Sequence, residues 1–456
     1  MKILPSAWKS RLGCCVGFLL WGILVPFAIS QTTPARSAIE ASPIEVRSYS
    51  IDLTLDPSHH SLAAKALVNF TALQSSATVA FRLNAALRVA DITDDQGNRL
   101  EFSQQNGKIV VTPASSLAQG RADSWTFVYS GVFETNSANT AQLASVGDPV
   151  SYLLYPADWF PVAGEGLERF AATIHVHVPS GERVFGSGLS GQPHADANGD
   201  VIFDFDWPHP GFPGTIIAGK FQAPTIAQAD SDVRVYLIDR GDDGKAAAPQ
   251  LSGEKIAATA ARQFEEFTSQ FGPTESGELN VVELPDGTLP AASAPEIAAI
   301  AGKQLESGGP FRLLANTIAH QWWGNQVSPA TLNDEWITNG MCRYAELQYL
   351  QEVSKPAVAA NAILNVSASA LAYDNVPLRN VGRYPEFSPQ FEAMTYDKGA
   401  MIFRMLRWQI GDAAFQQTLR GILSQKVVTS ADVERIAETA SHQNLRPFFT
   451  QWLDDT

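Results

Sequence analysis

Hydrophobic and polar residues alternate along the first half of the chain, from residue 44 to about residue 240. Residues 49–55 read Tyr-Ser-Ile-Asp-Leu-Thr-Leu, and this period of two is typical of a strand with one buried face. Asn106-Gly107 precedes an apolar run and predicts a two-residue hairpin, because both turn positions favour positive φ. Short strands separated by turn signals predict an antiparallel β-sandwich domain over residues 44–240.

The hydrophobic period becomes helical after residue 253. The apolar residues between 256 and 271 fall on one helical face, with Ser252 as N-cap and Gly272-Pro273 as the stop signal. Residues 241–252, rich in Gly, Ala and Asp, are predicted to be a linker. A short strand is predicted at 279–284, and further helices at about 310–324, 334–351, 397–410 and 430–440. The chain is therefore predicted to be α+β, with the β-sandwich first and a mainly helical domain over 253–456.

The N-terminal 30 residues have the pattern of an export signal. Lys2, Lys9 and Arg11 precede an uncharged apolar run at 12–29, and small residues at 28–30 offer a cleavage site. The prediction is an exported protein, periplasmic or extracellular, with residues 31–43 as a flexible lead-in. The alternative is that residues 12–29 stay in place as a membrane anchor, since 18 apolar residues are near the length that spans a bilayer.

Composition narrows the classes of function. The 456 residues include 47 acidic and 32 basic residues, a net charge of −15. Without residues 1–30 the basic count falls by three, and 29 minus 47 gives −18. Such a chain is a poor nucleic-acid binder, because phosphate contacts need clustered Lys and Arg. Cys342 is the only cysteine beyond residue 30, so no internal disulfide is expected in the exported chain.

The segment Leu314–Glu346, LANTIAHQWWGNQVSPATLNDEWITNGMCRYAE, carries a recognisable frame. It resembles the core of the membrane alanyl aminopeptidase (aminopeptidase N) family of zinc metallopeptidases, the gluzincins. There the frame runs H-E-x-x-H-x-W-W-G-N, then N-D-x-W, then N-E-G. The matching residues here are His320, Trp322, Trp323, Gly324, Asn325, Asn333, Asp334, Trp336, Gly340, Tyr344 and Glu346.

Weaker matches extend the resemblance over most of the chain. Residues 155–161, 271–273, 396–400 and 448–453 are similar to family segments in the β domain and in the catalytic domain. The resemblance implies a thermolysin-like, peptidase-type domain over 253–456. The C-terminal helical domain of many relatives is expected to be absent.

The chain departs from the family frame at the residues that carry its chemistry. In the family two His at i and i+4 and a Glu on the next helix bind zinc, and the Glu after the first His is the general base. Here Asn316 stands at the first His position, Thr317 at the base position and Asn339 at the third-ligand position, 19 residues after His320. Only His320 is retained, and neutral amides are poor zinc donors.

The substrate side of the resemblance departs too. The family's Gly-Ala-Met-Glu-Asn-type strand, whose Glu holds the substrate amine, has no clear counterpart in residues 286–298, where Glu296 is a carboxylate without that context. Tyr396 stands where the family donates a hydrogen bond to the oxyanion. The purely structural interpretations are that His320 is a buried, hydrogen-bonded histidine and that Tyr396 is a packed aromatic residue.

Other candidate sites are predicted to be structural. Glu335, one helical turn before Asn339, could replace a ligand but is expected to be solvated or to support a neighbour. His175 and His177 share a strand face and could chelate a metal, and Asp196-Ala197-Asn198-Gly199-Asp200 resembles a calcium loop without its Gly and Glu positions. The preferred interpretations are that His175 and His177 reflect the alternating polarity of a surface strand, that residues 196–200 form an Asn-Gly turn, and that Cys342 is a packed thiol.

These observations predict an exported aminopeptidase-family homologue that is inactive as a zinc peptidase and binds a peptide or protein in the ancestral cleft. No cofactor is expected, and contact with a membrane is expected only through an uncleaved N-terminal segment. The alternative is an active zinc-dependent metallopeptidase whose altered metal site is centred on His320.

Overall fold

The computed structural model describes residues 42–133, 142–197, 199–228, 231–241, 252–306 and 311–456. The predicted signal segment lies outside the described residues, as do most of the predicted lead-in and linker. No helix within the described ranges is both long enough and apolar enough to cross a bilayer.

Strands dominate the described residues before 241 and also open the following part. In chain order they are β1 (Ile44–Asp56), β2 (Ser61–Ala72), β3 (Val79–Arg82), β4 (Leu87–Thr93), β5 (Glu101–Gln105), β6 (Lys108–Thr112), β7 (Ala122–Val132), β8 (Ala144–Ser145), β9 (Val150–Leu153), β10 (Val162–Ala163), β11 (Phe170–Val178), β12 (Arg183–Phe185), β13 (His194–Ala195), β14 (Val201–Gly211), β15 (Ile216–Gly219), β16 (Thr225–Ile226), β17 (Val233–Tyr236), β18 (Leu279–Leu284), β19 (Ala291–Ala294), β20 (Ile297–Ala301), β21 (Ser328–Pro329) and β22 (Val427–Val428).

The β-rich part is built on a seven-stranded sheet with the order β13-β14-β11-β1-β2-β7-β4, accompanied by two four-stranded sheets. All its pairs are antiparallel except β1–β11, which is parallel. The alternation at 49–55 buries every second side chain of β1, as predicted. The predicted hairpin is confirmed, since Asn106 (φ 49°) and Gly107 (φ 77°) join β5 to β6. Between the sheets, aromatic rings such as Phe81 of β3 and Phe127 of β7 pack edge to face.

A five-stranded mixed sheet, β16-β17-β18-β20-β19, crosses the predicted linker. β17 lies before residues 241–252 and pairs in parallel with β18, which lies after them. Strand pairing therefore ties residues 225–236 to the part of the chain that follows the predicted boundary.

Helices form the rest of the described chain. In chain order they are α1 (Gly253–Phe271), α2 (Gly302–Glu306), α3 (Arg312–Ala319), α4 (Glu335–Val353), α5 (Pro356–Ala372), α6 (Pro389–Glu392), α7 (Gly399–Ile410), α8 (Asp412–Leu423), α9 (Ser430–Ser441) and α10 (Arg446–Phe449). Short π-helical turns, Ala393–Lys398 and Thr450–Asp454, follow α6 and α10. The β-rich domain followed by a helical, catalytic-type domain confirms the predicted fold class.

The predicted helices agree with the structure to different degrees. α1 begins where Ser252 caps the backbone N–H of Lys255, and α4 and α9 match their predictions within two residues. The predicted helix at 310–324 is wrong at its C-terminal end, because α3 stops at Ala319 and the chain turns through Gly324, which has φ 125°. The prediction at 397–410 is wrong in its first turn, which is π-helical until Lys398. α5 and α8 have no counterpart among the predicted helices.

Two glycines set the distance between α4 and α7. A Cβ on Gly340 would lie 2.7 Å from the carbonyl carbon of Gly399, and one on Gly399 would lie 2.6 Å from the carbonyl oxygen of Trp336. The two helix backbones therefore touch at this crossing. It fixes the end of α4 that carries Asn339 against the π-helical turn that carries Tyr396.

Candidate functional site

His320 lies where the chain leaves α3 in a tight turn. Its Nδ1 donates to the carbonyl of Trp323 at 2.9 Å, and a Cβ on Gly324 would lie 3.2 Å from the same Nδ1, so glycine leaves room for this bond. Burial lowers the pKa of His320 to about 4. The ring is therefore neutral at pH 7, with a proton on Nδ1 and a lone pair on Nε2.

Tyr396 faces this lone pair from the π-helical turn Ala393–Lys398. Its hydroxyl lies 3.4 Å from His320 Nε2, and the two ring centroids are 6.0 Å apart. Burial raises the pKa of Tyr396, so the hydroxyl keeps its proton and can donate. A π-turn is a frequent feature of functional sites, and here it places two of the predicted site residues side by side.

Asn316, one helical turn before His320, is held by a buried carboxylate. Its Nδ2 donates to Glu346 Oε2 at 3.3 Å. Glu346 also accepts from Arg312 Nε at 2.8 Å and from Arg343 at 2.5 Å, and its side chain is only 1% exposed. A carboxylate buried this deeply needs such partners, because an unpaired buried charge is very costly.

Arg343 brings a fixed positive charge into the wall of the site. Besides Glu346 it pairs with Asp397, Nε to Oδ1 at 3.1 Å, and its guanidinium carbon lies 5.7 Å from the centroid of the Tyr396 ring. Sequence reasoning missed Arg312 and Arg343. The i, i+3 pair Arg343–Glu346 on α4 was the available signal, but such pairs are common on exposed helix faces.

Asn339 lies on α4 beside Thr395 and Glu335. Its Nδ2 donates to Glu335 Oε2 at 2.9 Å and to Thr395 Oγ1 at 3.2 Å. Burial and the nearby Glu386 raise the pKa of Glu335 to about 7. Glu335 is thus partly buried beside Asn339 rather than fully solvated, and it supports the amide through this hydrogen bond.

Thr317 and Cys342 offer no activated nucleophile or base. The Thr317 hydroxyl donates to the Leu313 carbonyl at 2.7 Å, a bond within its own helix. The Cys342 thiol is buried against the carbonyl of Trp323, and burial raises its pKa, so it stays protonated. Neither residue can take a proton from water near neutral pH.

The donor set at this site does not match zinc. Protein zinc sites use His, Cys or carboxylate ligands, three of them even where water takes the fourth position. Within the described ranges, no group of three or more His, Cys, Asp or Glu is arranged to hold a metal ion. The predicted positions provide one imidazole nitrogen, a threonine hydroxyl, and two amides whose NH₂ groups donate to carboxylates.

The other candidates lie in ordinary contacts. His175 Nδ1 pairs with Asp204 at 2.5 Å, and His177 lies 3.4 Å from Asp52, so the two histidines bind separate carboxylates on the sheet face. Asp196 Oδ1 accepts from the backbone N–H of Asp200 at 3.0 Å, which closes a turn. Asn198, between them, lies outside the described residues.

Glu296 is closer to the site than any sequence pattern indicated. It precedes β20 with φ 68°, its backbone N–H donates to Gln321 Oε1, and its carboxylate accepts from the backbone N–H of Gly188, both at 2.9 Å. Gln321 follows His320 directly, so Glu296 connects the β-rich part to the segment that carries the histidine.

Comparison with known proteins gives a consistent result. The model of the peptidase family M1 domain matches residues 310–452. Endoplasmic reticulum aminopeptidase 2 of Homo sapiens is 27% identical over 144 residues, which are 30% of this chain and 15% of that protein. Aminopeptidase N of Homo sapiens is 31% identical over 120 residues, 24% of this chain and 12% of that protein. Aminopeptidase M1-D of Oryza sativa subsp. japonica is 23% identical over 257 residues, 52% of this chain and 28% of that protein.

The chain therefore covers under a third of the length of these relatives. A solved structure, the M1 zinc metallopeptidase from Deinococcus radiodurans, superimposes with a TM-score of 0.72 at 21% identity and covers 90% of this chain and 94% of that one. At this identity the superposition shows a shared fold. The frame around His320 and the domain match together relate residues 310–452 to the peptidase family M1 domain, and the superposition shows that the chain shares the fold of an M1 zinc metallopeptidase.

Proposed function

We propose that this protein is an exported M1-family homologue that does not hydrolyse peptides with zinc and instead binds a peptide in the ancestral cleft. The observation that carries the proposal is the hydrogen bonding of Asn316 and Asn339. Each amide donates to a carboxylate, Glu346 or Glu335. The polar groups of the site thereby satisfy one another without a metal ion, as buried polar groups require.

Electrostatics supports the absence of zinc. The Arg343 guanidinium lies beside Tyr396 and shares Glu346 with Arg312. Two arginines neutralise this carboxylate, so it has little remaining attraction for a divalent ion.

Catalysis also lacks its proton acceptor. Thr317 stands at the general-base position with its hydroxyl bonded to Leu313. A positioned general base contributes about 10²–10⁴-fold in rate, and His320 keeps a pKa of about 4, a weak base. Hydrolysis through this site would therefore lack both a bound metal and a competent base.

The candidate site keeps groups that can bind a peptide. The neutral His320 presents an acceptor at Nε2, and the Tyr396 hydroxyl is a donor 3.4 Å away. A peptide N–H needs an acceptor such as His320 Nε2, and a peptide carbonyl needs a donor such as the Tyr396 hydroxyl. A mutant of the M1 zinc metallopeptidase of Deinococcus radiodurans was crystallised with the substrate Tyr-Ser-Ala, which makes this tripeptide a suitable first probe.

Metal content tests the first half of the proposal. We expect the purified protein, after exposure to zinc and buffer exchange, to retain no stoichiometric zinc and to leave aminoacyl anilides uncleaved. The change Asn316→His, Thr317→Glu and Asn339→Glu should create zinc binding in the same assay, which shows that the method detects it. Stoichiometric zinc in the wild type, with hydrolysis lost in His320→Ala, would instead support the alternative of an active enzyme centred on His320.

Peptide titration tests the second half. Tyr-Ser-Ala should bind the wild type in calorimetry, and Tyr396→Phe should weaken binding about 3–10-fold, the effect of one hydrogen bond of about 1 kcal/mol. Tyr384→Phe is the matched control, because the hydroxyl of Tyr384 is bonded to Asn375 away from His320. Equal affinities in the two variants would place the peptide elsewhere.

Export follows from the predicted signal at residues 1–30 and is part of the proposal. An antibody against the folded chain should detect it in the periplasmic or extracellular fraction. A product that stays with the membrane at its full mass would support the anchor at 12–29.

A further inference from the structure

Glu335 is the first residue of α4 and lies beside the candidate site. Its Oε2 accepts a hydrogen bond from Asn339 Nδ2 at 2.9 Å, and the same amide donates to Thr395 Oγ1 at 3.2 Å. Thr395 directly precedes Tyr396 in the π-helical turn, and the charge of Glu335 contributes to the raised pKa of Tyr396. Glu335 is half-buried, so its carboxylate lies near Tyr396 and stays accessible to a ligand.

Glu335, unlike Glu346 and Asp397, has no cationic partner within the described part of the chain. Glu346 pairs with Arg312 and Arg343, and Arg343 also pairs with Asp397. The hydrogen-bond partner of Glu335 is instead a neutral amide. The two arginines and their two carboxylates cancel in charge, whereas the negative charge of Glu335 is not cancelled by any of them.

A second carboxyl group increases the negative potential at Glu335. Glu386 lies three residues before α6, and burial together with the charge of Glu386 raises the pKa of Glu335 to about 7. A like charge disfavours the ionised form of a carboxyl group, and a nearby cation favours it. This part of the candidate site therefore attracts a positively charged group and disfavours a negatively charged one.

An ammonium or guanidinium group fits this position better than a metal ion does. Metal sites need several His, Cys or carboxylate ligands, and no such group of three is arranged around an ion in the ranges that the structure describes. Ammonium and guanidinium groups need only hydrogen-bond acceptors. The Glu335 carboxylate is one acceptor, and the oxygen of the Tyr396 hydroxyl can accept as well as donate.

Glu335 stands at the position that the N-D-x-W part of the family frame leaves open. Its role is therefore not implied by the family resemblance. We propose that Glu335 determines ligand specificity by binding a positively charged group of the peptide, either its N-terminal ammonium group or the side chain of a Lys or Arg. This inference rests on the proposed function, because it assigns the charge of the peptide that the site would bind.

Three tripeptides separate the two sources of charge in calorimetry at neutral pH. Tyr-Ser-Ala has an N-terminal ammonium group, N-acetyl-Arg-Ser-Ala has a guanidinium group instead, and N-acetyl-Tyr-Ser-Ala has neither. At least one of the two charged peptides should bind the wild type about tenfold more tightly than the neutral peptide, the effect of one charge-assisted hydrogen bond. This comparison uses the wild type alone and so does not depend on whether a variant folds.

Glu335→Gln then tests the residue itself. This variant should bind the preferred charged peptide about tenfold more weakly and leave the affinity for N-acetyl-Tyr-Ser-Ala unchanged, because only the recognition of charge is lost. The amide oxygen of Gln can still accept from Asn339, so the variant should fold, which circular dichroism checks. Glu101→Gln is the matched control, since Glu101 is exposed on β5, and it should bind all three peptides like the wild type.

The contradicting outcomes distinguish this inference from the proposed function. Equal affinities of the wild type for charged and neutral peptides would overturn the inference and leave peptide binding in place. A Glu335→Gln variant that retains the preference for charge, or that weakens all three peptides alike, would also overturn it. Failure of all three peptides to bind the wild type would overturn the proposed function and this inference with it.

Discussion

Replacing Glu346 by Gln should destabilise the fold more than any exposed ion pair would. The carboxylate is 1% exposed and accepts hydrogen bonds from Arg312, Arg343 and Asn316. Glutamine keeps the volume of the side chain but removes its negative charge. Its NH₂ group must then face N–H donors that the Glu346 carboxylate had accepted from. Arg343 still has Asp397, so the loss falls mainly on Arg312.

The size of the effect follows from the exposure of the partners. Removing one member of a fully buried pair costs about 3–5 kcal/mol. The side chains of Arg312 and Arg343 are 35% and 27% exposed, so water recovers part of the loss. We expect Glu346→Gln to lower the free energy of unfolding by about 2–3 kcal/mol, near the cost of one charged hydrogen bond.

Urea unfolding followed by circular dichroism measures this difference. The control is Asp454→Asn, which breaks the pair Arg379–Asp454, where both side chains are more than a third exposed. Such a pair contributes about 0–1 kcal/mol. If Glu346→Gln costs no more than this control, the buried network does not stabilise the site and the electrostatic reasoning fails.

Three further predictions follow. Because the folded-state pKa of Glu335 is raised to about 7, its protonated carboxyl favours folding at acidic pH, and this contribution is lost as pH rises from about 4.5 through 7. Glu335→Gln should therefore raise the free energy of unfolding by about 1 kcal/mol at pH 8 in urea titrations and leave it unchanged at pH 4.5. Equal effects at the two pH values would contradict this. Gly340→Ala should cost about 1–3 kcal/mol because its methyl group would meet the backbone of α7. Gly421→Ala, where the methyl meets only the side chain of Ile436, should cost less because a side chain can shift where a backbone cannot; similar unfolding midpoints would refute the backbone contact. The unfolding temperature of the wild type should not change with added zinc or chelator, whereas a metal that binds only the folded state would raise it with concentration.

The parts of the fold that could be predicted depend on local patterns. The hairpin at Asn106-Gly107 and the cap at Ser252 follow from the conformational preferences of a few neighbouring residues. α5 could not be predicted in this way, because a helix with apolar residues on every side shows no 3.6-residue period. The π-turn at 393–398 depends on how α7 packs on α4 and has no signature in sequence.

At the candidate site, the sequence frame predicted His320, Asn316 and Asn339 on two successive helices, and the structure has Asn316 on α3, His320 at its C-terminal end and Asn339 on α4. It could not show that Arg312, from another helix, joins Arg343 on Glu346, because these contacts span about 30 residues of sequence and form only in the folded chain. The position of Glu296 was missed for the same reason. Its contacts with Gly188 and Gln321 join three separate segments.

The glycine crossing of α4 and α7 has a consequence for how the cleft meets a ligand. Because the backbones touch at Gly340 and Gly399, we expect the α4 segment with Asn339 and the turn with Tyr396 to move together. A ligand cannot widen the space between them by pushing a helix aside. This side of the site should therefore bind those ligands that already fit it. We expect association in a single kinetic phase, and affinity differences between ligands should arise chiefly from their rates of dissociation.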